Sequence, residues 1–392
     1  MSEKDLKKIA LLTWAKGENY GTSLQCYALQ KTIGAEYDCS VIDIPLVSEP
    51  VWKKLLRNPV KTGAIILRRK INLFLGKVPL AYEGQKERHA NFVRFRNTHF
   101  NLSEPYDSKK KLAKLNDEYD SFVCGSDQIW NPFLFDARYF LDFVSDNKKK
   151  IAYAPSFGTE HIDSSENEAK IIPLVRDFAF LSCREESGAA WLSEKTGRNV
   201  PCVLDPTLLL QKSEWLKIAN EKYPRPAHYI FCYFLGKNER YLSAVFDFAK
   251  KNALEVVLIP IYKKDFSRKC VVPRNIGPCE FLSLVEHADF VCTDSFHGCC
   301  FSVLFEKPFA PFLRFSATDK KSQNARVQDF LKKLGLEKLL YSKDNDLAKI
   351  FASPIDFSSV NAILEAERKK SLSYLFDALS IAISGAAGGS DE

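Results

Sequence analysis

The alternation of short apolar segments with amphipathic helical segments is the feature that most constrains the fold of this 392-residue chain. The apolar segment at 8–14 is followed by a loop with glycines and then by apolar residues at helical spacing, and the same order recurs along the chain. Short apolar strands separated by helices are typical of a parallel sheet covered by helices on both faces. The sequence therefore predicts an α/β fold.

The predicted strands fall into two groups, which indicate two domains. The pattern lapses between 211 and 228, around Pro224, and we place the domain boundary there. We predict two Rossmann-like domains, 1–222 and 223–392, with the C-terminal helices in the second. The predicted strands are 8–14, 40–44, 121–124, 151–154, 180–183 and 200–204 in the first domain, and 229–234, 255–261, 290–293 and 309–313 in the second.

Composition and missing motifs narrow the class of protein. No uncharged apolar run is long enough to span a bilayer, and residues 1–5 lack the features of a signal peptide, so we expect a cytoplasmic protein. The 11 cysteines contain no C-x-x-C pair, so neither a disulfide framework nor a zinc site is expected. The absence of G-x-G-x-x-G, Walker A, G-x-S-x-G and H-E-x-x-H motifs argues against dinucleotide redox, P-loop hydrolysis, serine hydrolysis and zincin chemistry.

Two polar loops follow strands of the first domain, where open α/β sheets bind ligands. The loop at 16–25 has glycines that permit close approach of the backbone, and the next helix offers N–H groups to an anion or a sugar hydroxyl. An ordinary helix N-cap at Thr22 or Ser23 explains the same residues. The loop at 125–132 combines a carboxylate, two amides and an indole, which suits either a saccharide or an Asx-turn beside a packed tryptophan.

Arg184 and His297 also follow apolar strands. The Arg184 guanidinium could hold a phosphate or carboxylate through two hydrogen bonds, and an ion pair with a neighbouring glutamate is the alternative. His297 lies where a strand ends and a helix begins, so its imidazole could transfer protons beside helix N–H groups that hold an anion. A structural histidine at a strand end is the alternative.

Six short motifs follow one another between the first strand and about Phe312. They are Asn19-Tyr20-Gly21 with Leu24-Gln25 and Tyr27-Ala28-Leu29, Gly125-Ser126-Asp127-Gln128-Ile129-Trp130-Asn131-Pro132, Tyr153-Ala154-Pro155-Ser156-Phe157-Gly158, Arg184-Glu185-Glu186-Ser187, Leu204-Asp205-Pro206-Thr207-Leu208-Leu209, and Thr293-Asp294-Ser295-Phe296-His297-Gly298. In this order they resemble the polysaccharide pyruvyl transferase family. Two Rossmann-like domains facing a cleft are also similar to the GT-B arrangement of sugar-handling transferases.

The resemblance implies an enzyme that transfers pyruvate from phosphoenolpyruvate to two hydroxyls of one sugar, in a bacterial surface polysaccharide or its lipid-linked precursor. The products would be a cyclic ketal and phosphate. Such a path needs a proton shuttle and a cradle for anionic groups, but no metal or further cofactor. We expect the acceptor on the first domain and the donor on the second.

The same resemblance suggests roles for individual residues. We predict His297 as the proton shuttle and Arg184 as its catalytic partner. The predicted donor-binding residues are Arg184, Ser295, His297, Gly298 and Arg314, with a surface role as the alternative for Arg314. The predicted acceptor-binding residues are Asn19, Tyr20, Gln25, Asp127, Gln128 and Trp130.

The sequence also bears on the partners of the protein and on two rival functions. The stretch 51–82 has eight Lys or Arg and no acid, so we expect 51–77 to contact an anionic membrane at its inner face, with a solvated loop as the alternative. No nucleic-acid partner is expected, because the basic residues are confined to one stretch without a reader motif. The rivals are a GT-B-type glycosyltransferase that uses a nucleotide sugar and a non-catalytic subunit of a polysaccharide-assembly complex.

Overall fold

A computed structural model describes residues 6–45, 84–159, 162, 164–316, 319 and 322–387 of the chain. The basic stretch predicted to contact a membrane, 51–77, lies outside the described residues. Within the described part of the chain, no helix combines the length and apolar composition that crossing a membrane requires.

The first domain is built on a five-stranded parallel sheet. Its strands are β1 (Lys8–Leu12), β2 (Asp38–Asp43), β3 (Leu102–Pro105), β4 (Ser121–Cys124) and β5 (Lys150–Ala152). They lie in the order β3-β2-β1-β4-β5, and every neighbouring pair is parallel. The order in which successive strands are added therefore reverses between β1 and β4. A doubly wound sheet leaves a crevice at this point, at the carboxyl ends of its strands.

Six helices accompany this sheet in the described residues. They are α1 (Tyr20–Ile33), α2 (Gln85–His99), α3 (Lys109–Glu118), α4 (Ser165–Arg176), α5 (Glu186–Thr196) and α6 (Lys212–Leu216). Helix α1 is capped by Asn19, whose side-chain oxygen accepts a hydrogen bond from the Thr22 backbone N–H at 3.1 Å. Such a cap satisfies one of the N–H groups that a helix start leaves without a partner.

The second domain has a four-stranded parallel sheet. Its strands are β6 (Tyr229–Tyr233), β7 (Glu255–Leu258), β8 (Phe290–Thr293) and β9 (Phe309–Pro311), in the order β7-β6-β8-β9. Its described helices are α7 (Glu239–Lys251), α8 (Pro278–Glu286), α9 (Phe296–Leu304), α10 (Ala325–Lys333) and α11 (Leu347–Ala352). The strand order reverses between β6 and β8, which places a second crevice at their carboxyl ends.

The predicted α/β fold with two parallel sheets is confirmed, and differences occur at its margins. The segments at 180–183 and 200–204, predicted as strands, form single bridges only, at Phe180 with Ile151 and at Cys183 with Cys202. Strand β3 was not predicted. It lies at the edge of the sheet and is half-buried or exposed, so it lacks the apolar run that marks the inner strands.

The last helix, α12 (Phe357–Ala387), returns to the first domain. The Tyr374 hydroxyl donates to the carbonyl of Ala152 in β5 at 3.0 Å, and Ser371 Oγ accepts from the Leu204 N–H at 3.0 Å. Chain order predicts that the C-terminal helices belong to the second domain, whereas these contacts join α12 to the first domain. Its 31 residues, about 45 Å of helix, are long enough to reach across the domain junction.

Candidate functional site

The carboxyl ends of the two sheets meet at a junction between α1 of the first domain and α9 of the second. Gly21, in the first turn of α1, packs directly against the His297 imidazole in the first turn of α9. A β-carbon at Gly21 would lie 2.0 Å from His297 Nδ1, so a side chain here would collide with the ring. The junction thus brings the motif after β1 together with the motif after β8.

Arg184 is buried at this junction among three carboxylates. Its Nη1 donates to Asp205 Oδ2 at 2.7 Å and its Nε to Glu185 Oε1 at 3.3 Å. Its Nη2 lies 3.9 Å from Asp127 Oδ1 and has no hydrogen-bond partner. The guanidinium also covers the Phe296 ring, with Cζ 4.8 Å from the centroid. The ion pair that we considered as the alternative is therefore present, while one donor atom stays available.

His297 faces the same carboxylate from the second domain. Its Nε2 lies 3.4 Å from Asp205 Oδ2, which is within ionic contact but outside hydrogen-bond geometry. The side chain is 9% exposed. A buried imidazole that is held between a glycine backbone and a carboxylate has a defined orientation, as proton transfer requires.

Asp205 joins these groups, and the sequence had suggested no role for it. Its Oδ1 accepts from the Thr207 N–H at 2.9 Å and the Thr207 hydroxyl at 2.7 Å, while Oδ2 faces Arg184, His297 and, at 3.5 Å, Ser126 Oγ. Burial alone would raise the pKa of this carboxyl, but the imidazole and the guanidinium outweigh it and hold the pKa below its usual range. The sequence signal for Asp205 was its place in the motif Leu204-Asp205-Pro206-Thr207-Leu208-Leu209, one of the six that resemble the family.

Arg326, in α10, is a second buried arginine that sequence analysis missed. Its Nη2 donates to Gln323 Oε1 at 2.6 Å, and its Nε has no hydrogen-bond partner. The Gln128 amide, oriented with its oxygen toward the guanidinium, accepts from Nη1 at 2.9 Å. Burial, followed by the positive charge of Arg184, lowers the pKa of Arg326 to about 10. Two buried guanidinium groups that each keep a donor atom without a partner can bind an anion.

Arg314, predicted as a donor contact, is engaged by Asp294. Its Nη2 donates to the Asp294 carbonyl at 3.1 Å, and its Nε lies 3.6 Å from Asp294 Oδ2. The same carboxylate accepts from the backbone N–H groups of Leu235 and Gly236, each at 2.7 Å. Burial raises the pKa of the Asp294 carboxyl despite the nearby guanidinium. This pair fixes the loop after β6 against the end of β8.

Ser295 and Gly298 form the start of α9. Ser295 caps the helix by accepting from the Gly298 N–H at 3.3 Å. The N–H group that we predicted for a donor anion is therefore used within the helix, which corrects that prediction in this structure. A β-carbon at Gly298 would lie 2.4 Å from Thr293 Oγ1, so the glycine lets α9 start close against β8.

The two aromatic residues predicted to bind an acceptor are packed in the interior. Trp130 is 0% exposed, donates its indole N–H to the Tyr139 carbonyl at 3.1 Å and stacks on Phe140 at 5.0 Å. Tyr20 is 1% exposed and stacks on Phe281 at 4.8 Å. Neither ring presents a face to a ligand, which corrects both predictions: the packed tryptophan that we held as the alternative is what occurs.

Two polar residues that were predicted to bind the acceptor sugar, Gln25 and Asp127, are also buried. Gln25 Nε2 donates to Thr13 Oγ1 at 3.0 Å, and its oxygen accepts from the Ser126 N–H at 3.2 Å. Asp127 Oδ2 accepts from the Thr22 hydroxyl at 2.6 Å. Both side chains therefore hold the loops after β1 and β4 together. Gln25 is corrected from a ligand contact to a loop support, whereas Asp127 also faces Arg184.

The other two residues predicted to bind the acceptor, Asn19 and Gln128, have different surroundings. Asn19 is exposed but uses its side-chain oxygen to cap α1. Gln128 borders the arginine pair, where its amide oxygen accepts from Arg326 Nη1 at 2.9 Å. Of the six residues, only Asp127 and Gln128 thus contact the charged groups of the site, because the loop after β4 is the one that meets α10.

An open crevice adjoins Arg184 and Asp205 and is bounded by both domains and the segment between them. We call it the inter-domain crevice and define it by the residues Arg184, Glu186, Phe296, Arg326, Asp329 and Lys333. Its cavity volume is ≈ 30 Å³, which is room for about two water molecules.

One cluster in the described part of the chain has side chains suited to a metal ion: Glu221, Glu286 and His287. His287 Nδ1 lies 2.8 Å from Glu286 Oε2, and its Nε2 lies 3.3 Å from Glu221 Oε2. These ion pairs account for the arrangement. The cluster precedes β8 and therefore lies at the opposite end of that strand from His297.

The chain is similar to known proteins in sequence family and in fold. A family model described as polysaccharide pyruvyl transferase matches residues 19–314. No curated protein has a significant sequence match to the chain. Among solved structures, UDP-GlcNAc 2-epimerase from Neisseria meningitidis bound to UDP-GlcNAc is similar with a TM-score of 0.51 and 10% identity, covering 95% of this chain and 99% of that one. The glycotransferase of kitacinnamycin has a TM-score of 0.45 and 12% identity, covering 96% and 99%. At such identities the likeness concerns the fold alone.

Proposed function

The chain belongs to the polysaccharide pyruvyl transferase family, and we propose that it transfers pyruvate from phosphoenolpyruvate to two hydroxyls of one sugar, forming a cyclic ketal. The acceptor sugar would belong to a bacterial surface polysaccharide or to its lipid-linked precursor. The family supports a transferase that acts in polysaccharide biosynthesis, and the donor and the ketal are our proposal.

One observation carries the proposal: two buried guanidinium nitrogens at the junction have no hydrogen-bond partner. They are Arg184 Nη2 and Arg326 Nε. A buried polar atom without a partner costs on the order of 1–3 kcal/mol, so the two together favour a missing acceptor. Phosphoenolpyruvate offers both a phosphate and a carboxylate, and guanidinium groups bind each of these anions well.

The proposed chemistry begins with a proton. A proton delivered to the methylene carbon of phosphoenolpyruvate makes C2 electrophilic, and one sugar hydroxyl adds to C2 and loses its proton. Phosphate then leaves with the C–O electron pair, and a second hydroxyl adds to C2, releasing a proton and closing the ring. His297 would supply and recover protons, while Arg184 and Arg326 would stabilise the charge that develops on the phosphate.

The Asp205 carboxylate supports this role for His297. A carboxylate beside an imidazole orients the ring, and Asp205 Oδ2 lies 3.4 Å from His297 Nε2. Asp205 also accepts a hydrogen bond from Arg184 at 2.7 Å. The same carboxylate therefore contacts both His297, the proposed proton shuttle, and Arg184, the proposed anion-binding residue. Donor binding and proton transfer would therefore depend on the same junction.

The test is phosphate release from phosphoenolpyruvate with a panel of glycosides and lipid-linked saccharides. We expect acceptor-dependent release by the wild type and a loss of about 100-fold or more in His297→Ala and Arg184→Ala. Arg184→Lys, which keeps the charge, controls for collapse of the buried ion pairs. The matched controls His228→Ala and Arg176→Ala alter exposed residues and should behave as the wild type.

Other outcomes favour the rival functions. Release that persists in His297→Ala would remove that residue as the proton shuttle. No release with any acceptor, together with thermal stabilisation by a nucleotide sugar, would support glycosyl transfer. Polysaccharide output that is unchanged by His297→Ala in cells would support a non-catalytic assembly subunit.

A further inference from the structure

We propose that the last helix, α12, positions Asp205 for its contact with His297, through the side chains of Arg368 and Ser371. This inference rests on the pyruvyl transfer proposed above and deepens it, because it assigns two positioning residues to the same site. Both residues lie beyond 19–314, the part of the chain that the family model matches. Each would act through Asp205 rather than on the substrate.

Asp205 lies in a short turn and is fixed to the backbone of that turn. We call residues 204–208 the Asp205 turn. Asp205 Oδ1 accepts from the Thr207 N–H at 2.9 Å and from the Thr207 hydroxyl at 2.7 Å, and the Asp205 carbonyl accepts from the Leu208 N–H at 2.9 Å. The carboxylate therefore moves with the turn, and the position of the turn sets the distance from Asp205 Oδ2 to His297 Nε2.

Helix α12 holds the Asp205 turn at both ends. Ser371 Oγ accepts from the Leu204 N–H at 3.0 Å, and Arg368 Nε donates to the Leu208 carbonyl at 2.8 Å. Arg368 and Ser371 are three residues apart and therefore lie on the same face of the helix. Ser371 is 2% exposed and Arg368 is 8% exposed, so neither hydrogen bond is readily replaced by one to water.

Two further contacts hold other atoms of the Asp205 turn. The Tyr153 hydroxyl donates to the Leu204 carbonyl at 3.0 Å, and the Trp215 indole N–H donates to the Thr207 carbonyl at 3.2 Å. These contacts remain when a single contact with α12 is removed. We therefore expect such a removal to shift the turn and not to unfold it.

A small shift of the turn would be enough to affect the site. Asp205 Oδ2 lies 2.7 Å from Arg184 Nη1 and 3.4 Å from His297 Nε2. A displacement of about 1 Å in a group near the chemistry can lower a rate by about 100-fold. The same part of α12 also contacts the second domain, because Glu367 Oε2 lies 3.4 Å from Lys333 Nζ in α10. Helix α12 thus fixes the turn relative to both domains.

Steady-state kinetics and thermal unfolding would be measured for Arg368→Met and Ser371→Ala, each of which removes one contact with the turn. The matched control is Tyr374→Phe, which removes the hydrogen bond from α12 to the Ala152 carbonyl. We expect kcat to fall by about tenfold or more in the first two variants and to stay within about twofold in the control, while Tm falls similarly in all three. Arg368→Lys, whose ammonium can still donate to the Leu208 carbonyl, should recover most of the rate.

Two further measurements show whether these residues act through Asp205. The double variant with Ser371→Ala and Asp205→Asn should have the rate of Asp205→Asn alone, because the contact that α12 positions is already lost. The NMR signal of the His297 ring would be identified by its absence in His297→Ala. It should shift in Ser371→Ala and Arg368→Met in the same direction as in Asp205→Asn, and stay in place in Tyr374→Phe.

Rates that follow the loss of thermal stability in all three variants would make the contacts of α12 structural and would overturn the proposal. So would additive effects in the double variant, or a His297 signal that does not shift. The NMR measurement needs no turnover. A His297 signal that shifts as expected, in a protein that never consumes phosphoenolpyruvate, would reject pyruvyl transfer and keep the positioning by α12.

Discussion

Asp205 Oδ2 lies 3.4 Å from His297 Nε2, so a carboxylate at the end of the first domain faces an imidazole of the second. The same oxygen binds Arg184 Nη1 at 2.7 Å. The three groups come from different motifs and from both sides of the domain junction. The predictions below test what this arrangement does and which neighbouring residues support it.

Asp205→Asn should reduce kcat by about 100-fold, because the imidazole loses the carboxylate that orients its ring. We also expect the pH–rate profile to change in shape, which a simple loss of folded protein would not produce. Steady-state kinetics across the pH range would measure both effects. Asp247→Asn, at an exposed position on α7, is the control, and a wild-type profile in Asp205→Asn would contradict the role.

The charge of Asp205 should also appear in the pH dependence of stability. Its pKa is lowered in the folded protein, so it contributes stability above its unfolded pKa of about 3.9, and that stability is lost as the pH falls through the folded pKa. The free energy of unfolding of the wild type should therefore exceed that of Asp205→Asn at pH 7 and pH 5, with a smaller difference at pH 3. Urea unfolding at the three pH values would show it. A difference that does not shrink below pH 4 would mean that packing, rather than charge, is lost.

Gly21→Ala should disturb the junction between the domains. The new methyl group would lie 2.0 Å from His297 Nδ1, so either the ring or the helix must move. We expect a loss of about 1–3 kcal/mol in stability and at least a tenfold loss of kcat. Thermal unfolding and steady-state kinetics would measure these effects. Gly17→Ala is a matched control, because no atom lies within 4 Å of a β-carbon at that position.

Arg326→Met should separate binding from stability. Burial and the charge of Arg184 lower the pKa of Arg326 to about 10, so the guanidinium is poorly accommodated without an anion. We expect the affinity for phosphoenolpyruvate to fall at least tenfold, while the stability of the ligand-free protein falls by no more than about 1 kcal/mol. Calorimetric titration and thermal unfolding with and without phosphoenolpyruvate would measure the two. A large loss of stability without loss of affinity would make Arg326 a structural residue.

Trp130→Phe should affect stability and leave substrate binding unchanged. The indole is fully buried, stacks on Phe140 and donates to the Tyr139 carbonyl, and the smaller ring would leave a cavity and an unpaired carbonyl. We expect a loss of about 1–3 kcal/mol in the free energy of unfolding. The KM for the acceptor should stay within twofold. A selective rise in that KM would restore Trp130 as an acceptor contact.

The sequence predicted the inner strands well and the margins less well. Apolar runs predicted β1, β4, β6 and β8, the strands that carry the site at their carboxyl ends. Strand β3 lacks such a run because it lies at the exposed edge, and the segments at 180–183 and 200–204 have the run but form only single bridges. An apolar run thus indicates that a segment is buried, but a buried segment need not pair with neighbouring strands in a sheet.

Some residues of the candidate site could be predicted from the sequence, and others could not. Arg184 and His297 could be predicted because each follows an apolar run, although only the run before His297 forms a strand of a sheet. Asp205 lies in one of the six motifs, but nothing in the sequence placed it between Arg184 and His297. No local pattern marks Arg326, an arginine on a helix, as part of a site. The loop at 125–132 was ambiguous, because an indole with amides suits a sugar and a packed turn equally.

By itself, therefore, the sequence determined the α/β class, the two parallel sheets and the apolar segments that Arg184 and His297 follow. These follow from the spacing of apolar residues, which acts over a few residues of chain. Only the tertiary structure decided that Trp130 points into the core, that α12 returns to the first sheet, and that Asp205 lies between Arg184 and His297. Those outcomes depend on contacts between residues far apart in the chain, and local spacing carries no information about such contacts.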